Sequence, residues 1–152
     1  MNIKFDEVFY SRSEADTEKF GFDLGREIAQ NPGTILALHG DLGAGKTVFT
    51  RGFAAGLGVD EPISSPTYTI LQEYKLPDGN YLYHFDLYRI DNEIAALGFG
   101  IDEYFIDPKG ICVIEWPERA GGILPDHTLH LNIKYGEGEN RELTLSRSAK
   151  QP

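Results

Sequence analysis

The sequence predicts an α/β fold: a three-layer sandwich in which a mixed β-sheet, with a parallel core and antiparallel hairpin additions, lies between helices. In the first half of the chain, helical patterns alternate with short apolar runs, which favours parallel strands joined by helices. Elsewhere, two pairs of strand-like runs are separated only by turn residues, which favours antiparallel hairpins. Because 152 residues suit one sizeable core, we expect residues 1–152 to form a single domain.

The elements are expected in the order αβαββαβββ. The first helix is indicated by Phe20, Leu24 and Ile28, which recur every four residues, and a capping box at 11–14 is expected to start it. The other helices are predicted at 46–57 and 91–97, and the strands at 34–39, 68–75, 81–88, 110–116, 128–135 and 141–146. Residues from about 147 onward are expected to fray.

Composition excludes several classes of protein. The 14 Lys+Arg against 24 Asp+Glu give a net charge of −10, so no basic footprint for nucleic acid covers the whole surface, and an anionic membrane would repel the chain. No apolar run reaches the roughly 18 residues that span a bilayer, and the N-terminus lacks the apolar stretch of a signal peptide. The single cysteine, Cys112, lies in an apolar run and is expected to be buried. We therefore expect a cytoplasmic protein with no membrane partner.

Residues 40–47, with the sequence GDLGAGKT, match the phosphate-binding pattern G-x-x-x-x-G-K-[ST] at every fixed position. A predicted strand precedes the pattern and a predicted helix follows it, as the motif requires. Glycines let the backbone wrap closely around phosphates, and the start of the helix adds partial positive charge. The fold is therefore expected to be P-loop NTPase-like, with ATP or ADP as nucleotide and Mg²⁺ as cofactor. The expected nucleotide contacts here are Asp41, Leu42, Gly43, Ala44, Gly45, Lys46, Thr47 and Val48, with Lys46 on the β- and γ-phosphates and the Thr47 hydroxyl on Mg²⁺.

Two acidic residues are candidates for holding the metal and the attacking water. Glu115 ends an apolar strand, where a Walker-B-type carboxylate belongs, and it is interpreted as a metal ligand; the alternative is an ordinary charge at a strand end. Alternation along the strand at 81–88 places His84, Asp86 and Tyr88 on one face. Asp86 is the catalytic candidate beside Lys46, and the alternative is that it only pairs with Arg89.

Guanine-nucleotide motifs are missing from the chain. There is no N-K-x-D, and the D-x-x-G match at 107–110 precedes a predicted strand, so we interpret it as a turn. An S-A-K run at 148–150 lies in the tail that is expected to fray. These absences favour ATP over GTP.

Two further features lie near the expected site in the sequence. The run at 64–68, SSPTY, lies where NTPases often carry a loop that senses the γ-phosphate, so Thr67 is a candidate contact to the metal or that phosphate. A plain loop is the alternative. Trp116 follows Glu115 directly and is expected to touch the site, the alternative being a half-buried aromatic residue at a strand end.

Five segments together resemble the TsaE family, formerly YjeE, the bacterial P-loop ATPases of tRNA threonylcarbamoyladenosine (t6A) biosynthesis. The resemblance runs from about residue 17 to residue 132, with segments GDLGAGKT, SSPTY, HFDLYR, IEWPER and GILP in the family's order and spacing. It implies that Thr47 and Glu115 ligate Mg²⁺ and that Asp86 serves catalysis. It also implies that residues 65–67 form a switch-like loop and that Trp116 lies beside the nucleotide. No motif marks an adenine pocket, but the family's arrangement suggests the start of the first helix, near residues 11–17.

The resemblance also implies a role and partners. Members of the family act on the TsaD–TsaB pair and use ATP hydrolysis to sustain or reset t6A modification of tRNAs that read ANN codons. The charge of −10 fits contact with tRNA only through these partners. Many members have a second Thr after G-K-T, where this chain has Val48, which is expected to point into the helix. We expect a monomer with slow hydrolysis alone and a basic mouth formed by Lys46, Arg51, Arg89 and Arg119.

Two other functions remain open from the sequence. One is a small-molecule P-loop kinase, although such enzymes usually have an Arg-rich lid and the candidate lid at 118–122 holds one Arg. The other is a nucleotide-gated binding module in which hydrolysis is incidental.

Overall fold

A seven-stranded mixed sheet is the centre of the computed structural model, which describes residues 4–41, 43–63 and 70–147. Its strand order is β1-β7-β6-β2-β5-β4-β3. The strands are β1 Val8–Ser11, β2 Ile35–His39, β3 Leu71–Lys75, β4 Tyr81–Asp86, β5 Gly110–Glu115, β6 Leu129–Tyr135 and β7 Arg141–Ser146. The central strands β6, β2, β5 and β4 pair in parallel, and the outer strands β1, β7 and β3 pair antiparallel. The predicted parallel core with antiparallel hairpins is confirmed.

Helices cover both faces of the sheet. The long helices α1 (Glu14–Ile28) and α2 (Lys46–Leu57) pack on one face, and the short helices α3 (Glu93–Gly98) and α4 (Ile101–Phe105) pack on the other. Strand β5 shows why both faces hold a core, because Ile111 and Val113 join the α1–α2 side whereas Cys112 and Ile114 join the opposite side. The predicted three-layer arrangement is therefore confirmed.

Close packing of α1 against α2 fixes the helix that follows the P-loop. A Cβ atom added at Gly21 would clash with the carbonyl oxygen of Phe49, and one added at Gly52 would clash with that of Glu18. Glycine at these positions lets the two backbones approach without side chains between them. The start of α2 is consequently held by α1 as well as by the sheet.

The start of the chain differs from the prediction. No strand was expected before the first helix, yet β1 pairs with β7, with Val8 opposite Thr144. The capping box at 11–14 was also wrong: Ser13 caps α1 by accepting a hydrogen bond from the Asp16 amide at 3.1 Å, and Asp16 accepts one from the Arg12 amide. Since Ser11 belongs to the edge strand, the cap moves two residues along the chain.

Several smaller boundaries also moved. Helix α4 was not predicted, because it has five residues and follows Gly100 in the left-handed region, so no apolar repeat marks it. The strand predicted at 81–88 ends at Asp86. The strand predicted at 68–75 is described from Leu71, and its first two residues lie outside the described part of the chain. Arg147 was expected to fray, but its guanidinium packs over the Phe5 ring. The rest of the tail, from residue 148 onward, lies outside the described residues.

The burial predicted for Cys112 is confirmed. Cys112 is buried, and this burial raises the pKa of its thiol to about 12, so it is an inert core residue. Within residues 4–41, 43–63 and 70–147, no helix is both long and apolar enough to cross a lipid bilayer.

Candidate nucleotide-binding site

The loop between β2 and α2 has the backbone geometry of a phosphate cradle. Gly45 precedes the helix with φ of 111° and Gly43 has φ of 81°, both in the left-handed region that side chains disfavour. A Cβ atom at Gly43 would also lie 2.9 Å from the Tyr135 hydroxyl. The first amide N–H groups of α2 have no partner within the helix, and its first turn carries no acidic residue. This end of the helix therefore favours an anion.

A cavity of about 390 Å³ opens beside this loop. Eight of the residues predicted for the site line it: Gly43, Gly45, Lys46, Thr47, Val48, Asp86, Glu115 and Trp116. Val48, which was expected to point into the helix, is half-buried on the cavity wall. The structure thus brings the P-loop together with both candidate carboxylates and the tryptophan.

Four predicted site residues are not part of this wall. Ala44 is buried and does not line the cavity, and its amide donates to the carbonyl of Asp41 at 3.0 Å, which closes a turn inside the loop. Asp41 is exposed and does not line the cavity either. Leu42 and Thr67 lie outside the described residues, as does the whole predicted switch-like loop at 64–68.

The two carboxylates come from neighbouring parallel strands. Asp86 of β4 lies directly opposite Glu115 of β5, and each is the last residue of its strand. Carboxyl ends of parallel strands form the edge where α/β folds bind ligands. The pKa of Asp86 is raised, first by burial and also by the nearby charge of Glu115. The Tyr88 amide donates to its Oδ1 at 3.0 Å and acts in the opposite direction, lowering this pKa.

Lys46 points its ammonium group along the cavity wall at Trp116. The side chain is only 8% exposed, and Nζ lies 4.8 Å from the centroid of the Trp116 ring. Trp116 leaves β5 with φ of 58°, and its ring lies 5.0 Å from that of Tyr88, centroid to centroid. Tyr88 is therefore past the end of the strand, exposed and in contact with Trp116, so the prediction that it shares a strand face with His84 and Asp86 was wrong.

Two further segments line the cavity. The first is the start of the first helix, where the family resemblance placed the adenine, and the second was not predicted. Ser13, Glu14 and Thr17 belong to the start of α1, and Glu139 and Arg141 belong to the β6–β7 hairpin. Arg141 reaches the loop itself, since its Nε donates to the Ala44 carbonyl at 3.0 Å. A sequence motif offers no signal for this contact, because it depends on the hairpin folding back beside β2.

The expected basic mouth has a different composition. Among the described lining residues, the basic side chains are Lys46 and Arg141. Arg51 instead lies 3.5 Å from Glu18 in an exposed ion pair between α2 and α1, and Arg119 donates to the Ile90 carbonyl. Arg51, Arg89 and Arg119 do not line the cavity, so the prediction that they form its basic mouth with Lys46 was wrong.

The oxygen donors in the cavity fit a magnesium ion shared with phosphates. The wall holds the Thr47 hydroxyl and the carboxylates of Glu115 and Asp86. Among the described residues, no group of three or more His, Cys, Asp or Glu side chains is arranged to hold a metal by itself. Mg²⁺ typically takes one or two carboxylates and completes its shell with substrate phosphates and water. This donor set therefore suits Mg²⁺ bound together with a nucleotide.

Known proteins resemble this chain over most of its length. The model of the family described as Threonylcarbamoyl adenosine biosynthesis protein TsaE matches residues 11–143. The tRNA threonylcarbamoyladenosine biosynthesis protein TsaE of Bacillus subtilis is 47% identical over 116 residues, 76% of this chain and 70% of that protein. The TsaE protein of Treponema pallidum is 39% identical over 137 residues, 90% of this chain and 97% of its own. The crystal structure of Bacillus subtilis YdiB superposes with a TM-score of 0.73 at 36% identity, covering 93% of this chain and 86% of that one.

Proposed function

Because the chain belongs to the TsaE family of threonylcarbamoyl adenosine biosynthesis proteins, we propose that it binds ATP with Mg²⁺ in this cavity and hydrolyses it in support of t6A formation in tRNA. One observation carries the proposal: Lys46, Asp86 and Glu115, from three different elements, line a single cavity with the P-loop. The recognition of the family from its sequence motifs is confirmed by these relatives.

The proposed mechanism is positioning and charge neutralisation. Lys46 and the free amides at the start of α2 hold the phosphates, while Thr47 and Glu115 hold the metal. When bound, Mg²⁺ neutralises charge on the phosphate oxygens. Asp86 orients a water molecule for attack on the γ-phosphorus, and the bond from that phosphorus to the β–γ bridging oxygen breaks, which releases ADP and phosphate. Asp86 is half-buried and burial raises its pKa, which suits a group that accepts a hydrogen bond from water.

We assign the part of the cavity that is lined by the start of α1 and by the β6–β7 hairpin to the nucleoside. Ser13, Glu14 and Thr17 lie on that wall together with Glu139 and Arg141. A base needs a few polar partners at fixed positions, and both segments are held in place: α1 by its cap and Arg141 by its bond to the P-loop.

The proposed partners follow from the family and the charge. We infer that the protein acts on the TsaD–TsaB pair in the cytoplasm, is monomeric by itself and meets tRNA only through that pair. A net charge of −10 supports this indirect contact, because tRNA phosphates would be repelled.

A small-molecule kinase has less support. The segment after Glu115 contains Arg119, whose guanidinium is engaged by the Ile90 carbonyl, and it supplies no second arginine for a lid over an acceptor. A survey of candidate acceptors with labelled ATP separates the two functions. Label that appears only as free phosphate agrees with the ATPase, whereas label in an acceptor would establish a kinase.

The test is a reconstituted modification reaction with the TsaD–TsaB pair, tRNA, pre-formed threonylcarbamoyl-adenylate and ATP. We expect repeated t6A formation to require this protein. An ATP analogue that resists hydrolysis, used with pre-formed threonylcarbamoyl-adenylate, is expected to stall turnover. Full turnover with the analogue would instead favour a binding module gated by nucleotide, and full turnover without the protein would refute the accessory role.

A further inference from the structure

His84 is a buried polar residue next to the cavity that the proposed mechanism does not use. It is 1% exposed, and its Nε2 lies 2.7 Å from Oε2 of Glu115. In the parallel register of β4 and β5, His84 lies opposite Val113 and Asp86 lies opposite Glu115. His84 therefore reaches Glu115 diagonally, from the same face of the sheet and from one step deeper in the core.

The hydrogen bond has a defined direction. A glutamate that ligates a metal is ionised and only accepts hydrogen bonds, so in the proposed site Nε2 of His84 is the donor to Glu115. The other ring nitrogen, Nδ1, is buried and has no hydrogen-bond partner among the described residues. Among the described residues, Glu115 is therefore the hydrogen-bond partner of this imidazole.

We propose that His84 is a positioning residue that holds the Glu115 carboxylate in the orientation needed to ligate Mg²⁺. The inference rests on the proposed function, because it presupposes a metal at Glu115. A Glu side chain at a strand end has several rotatable bonds, and a donor fixed in the core restricts them before the metal arrives. Side chains that orient metal-ligating groups in this way typically change metal affinity by 10–100-fold when they are lost.

The chain offers a matched pair of substitutions. In His84→Gln, the side-chain amide nitrogen lies the same number of bonds from Cβ as Nε2 does, so a donor to Glu115 is retained. In His84→Met, the side chain has a similar length and shape but no donor. A role limited to filling the core predicts that the two variants behave alike, whereas a positioning role predicts that Gln rescues the function and Met does not.

The experiment measures binding of Mn²⁺ by electron paramagnetic resonance to the full chain loaded with ADP, with protein in excess so that little ADP is free. ADP affinity without metal and the thermal unfolding midpoint are recorded for each variant. We expect His84→Met to bind Mn²⁺ at least about tenfold more weakly, with metal-free ADP affinity close to that of the wild type, and His84→Gln to stay within about threefold of the wild type.

The outcomes separate this inference from the proposed function. Suppose that the wild type binds ADP and Mn²⁺. If His84→Met then binds Mn²⁺ equally well, or if both variants lose the same amount of Mn²⁺ affinity, the positioning role is wrong while the nucleotide site stands. If the wild type binds neither ADP nor Mn²⁺, both proposals fail. If His84→Met does not fold, ¹⁵N NMR of the labelled wild type tests the inference instead. A His84 imidazole protonated at Nε2 agrees with the donor role, and one protonated only at Nδ1 overturns it.

Discussion

Asp86 and Glu115 lie opposite each other in the parallel register of β4 and β5, so two carboxylates share the sheet edge that faces the P-loop. Their environments differ. Glu115 is 6% exposed and hydrogen-bonded to His84, whereas Asp86 is half-buried and accepts from a backbone amide. This difference underlies their different proposed roles, with Glu115 at the metal and Asp86 at the attacking water.

Replacing Asp86 with Asn is expected to separate activity from stability. Loss of the carboxylate that orients water should lower ATP hydrolysis by about 100-fold or more. The raised pKa means that the folded state favours the protonated form, so ionised Asp86 lowers stability at neutral pH, and this cost disappears as the pH falls through the raised pKa. Asp86→Asn should therefore unfold at an equal or higher temperature than the wild type at pH 7.5. An active variant would contradict the catalytic role.

Arg141 is expected to support the P-loop from the β6–β7 hairpin. Its Nε donates to the Ala44 carbonyl, so Arg141→Ala removes a charge-assisted hydrogen bond from the loop. We expect ATP affinity, measured by calorimetry, to fall about tenfold, which corresponds to roughly 1.5 kcal/mol. Arg51→Ala is the matched control, because Arg51 is exposed and lies away from the cavity. Equal losses in both variants would show that only overall charge matters.

His39 and His130 should make stability depend on pH. Their rings are joined by a hydrogen bond of 2.8 Å at the end of β2, just before the P-loop, and burial lowers the pKa of both. Because the unfolded chain then binds more protons, the stability that they contribute is present above pH 6.5 and is lost as the pH falls from there towards the lowered pKa values. Between pH 7.5 and pH 5.5, the thermal unfolding midpoint should fall less steeply in His130→Gln than in the wild type.

The control for this profile is His127→Gln, because His127 is exposed. That variant should follow the wild-type dependence on pH. A wild-type midpoint that does not change over this range would refute the account of the pair.

Helix packing behind the P-loop should be sensitive to a single methyl group. In Gly52→Ala, the new Cβ meets the Glu18 carbonyl, so the backbones of α1 and α2 must separate. We expect a loss of about 1–3 kcal/mol in the free energy of unfolding, measured by denaturant titration. Gly98→Ala is the matched control, since a Cβ at Gly98 meets no atom within 4 Å. Equal stability of the two variants would show that α2 tolerates displacement.

Local chemistry explains what the sequence could predict. The P-loop is visible because its glycines, Lys46 and Thr47 lie within eight residues. Glu115 is visible because it ends an apolar run, and Asp86 because it lies in the family segment HFDLYR. Contacts between distant segments are not visible in this way. Arg141 is 97 residues from Ala44, and the pairing of His84 with Glu115 depends on β4 and β5 being neighbours in the sheet. Strand order, which only the structure gives, brings these residues together.

The edge strand β1 was not predicted for a different reason. Val8, Phe9 and Tyr10 of β1 are all exposed, so the strand lacks the alternation of apolar and polar residues that marks a half-buried strand. The pairing with β7 supplies its hydrogen bonds instead.

The most direct measurement of the central claim is phosphate release from ATP by the wild type, Lys46→Ala and Arg51→Ala, each with and without the TsaD–TsaB pair. We predict slow hydrolysis by the wild type alone, stimulation by the pair, at least about a 100-fold loss in Lys46→Ala, and wild-type rates in Arg51→Ala. Undiminished hydrolysis in Lys46→Ala would contradict the assignment of this cavity as the ATPase site.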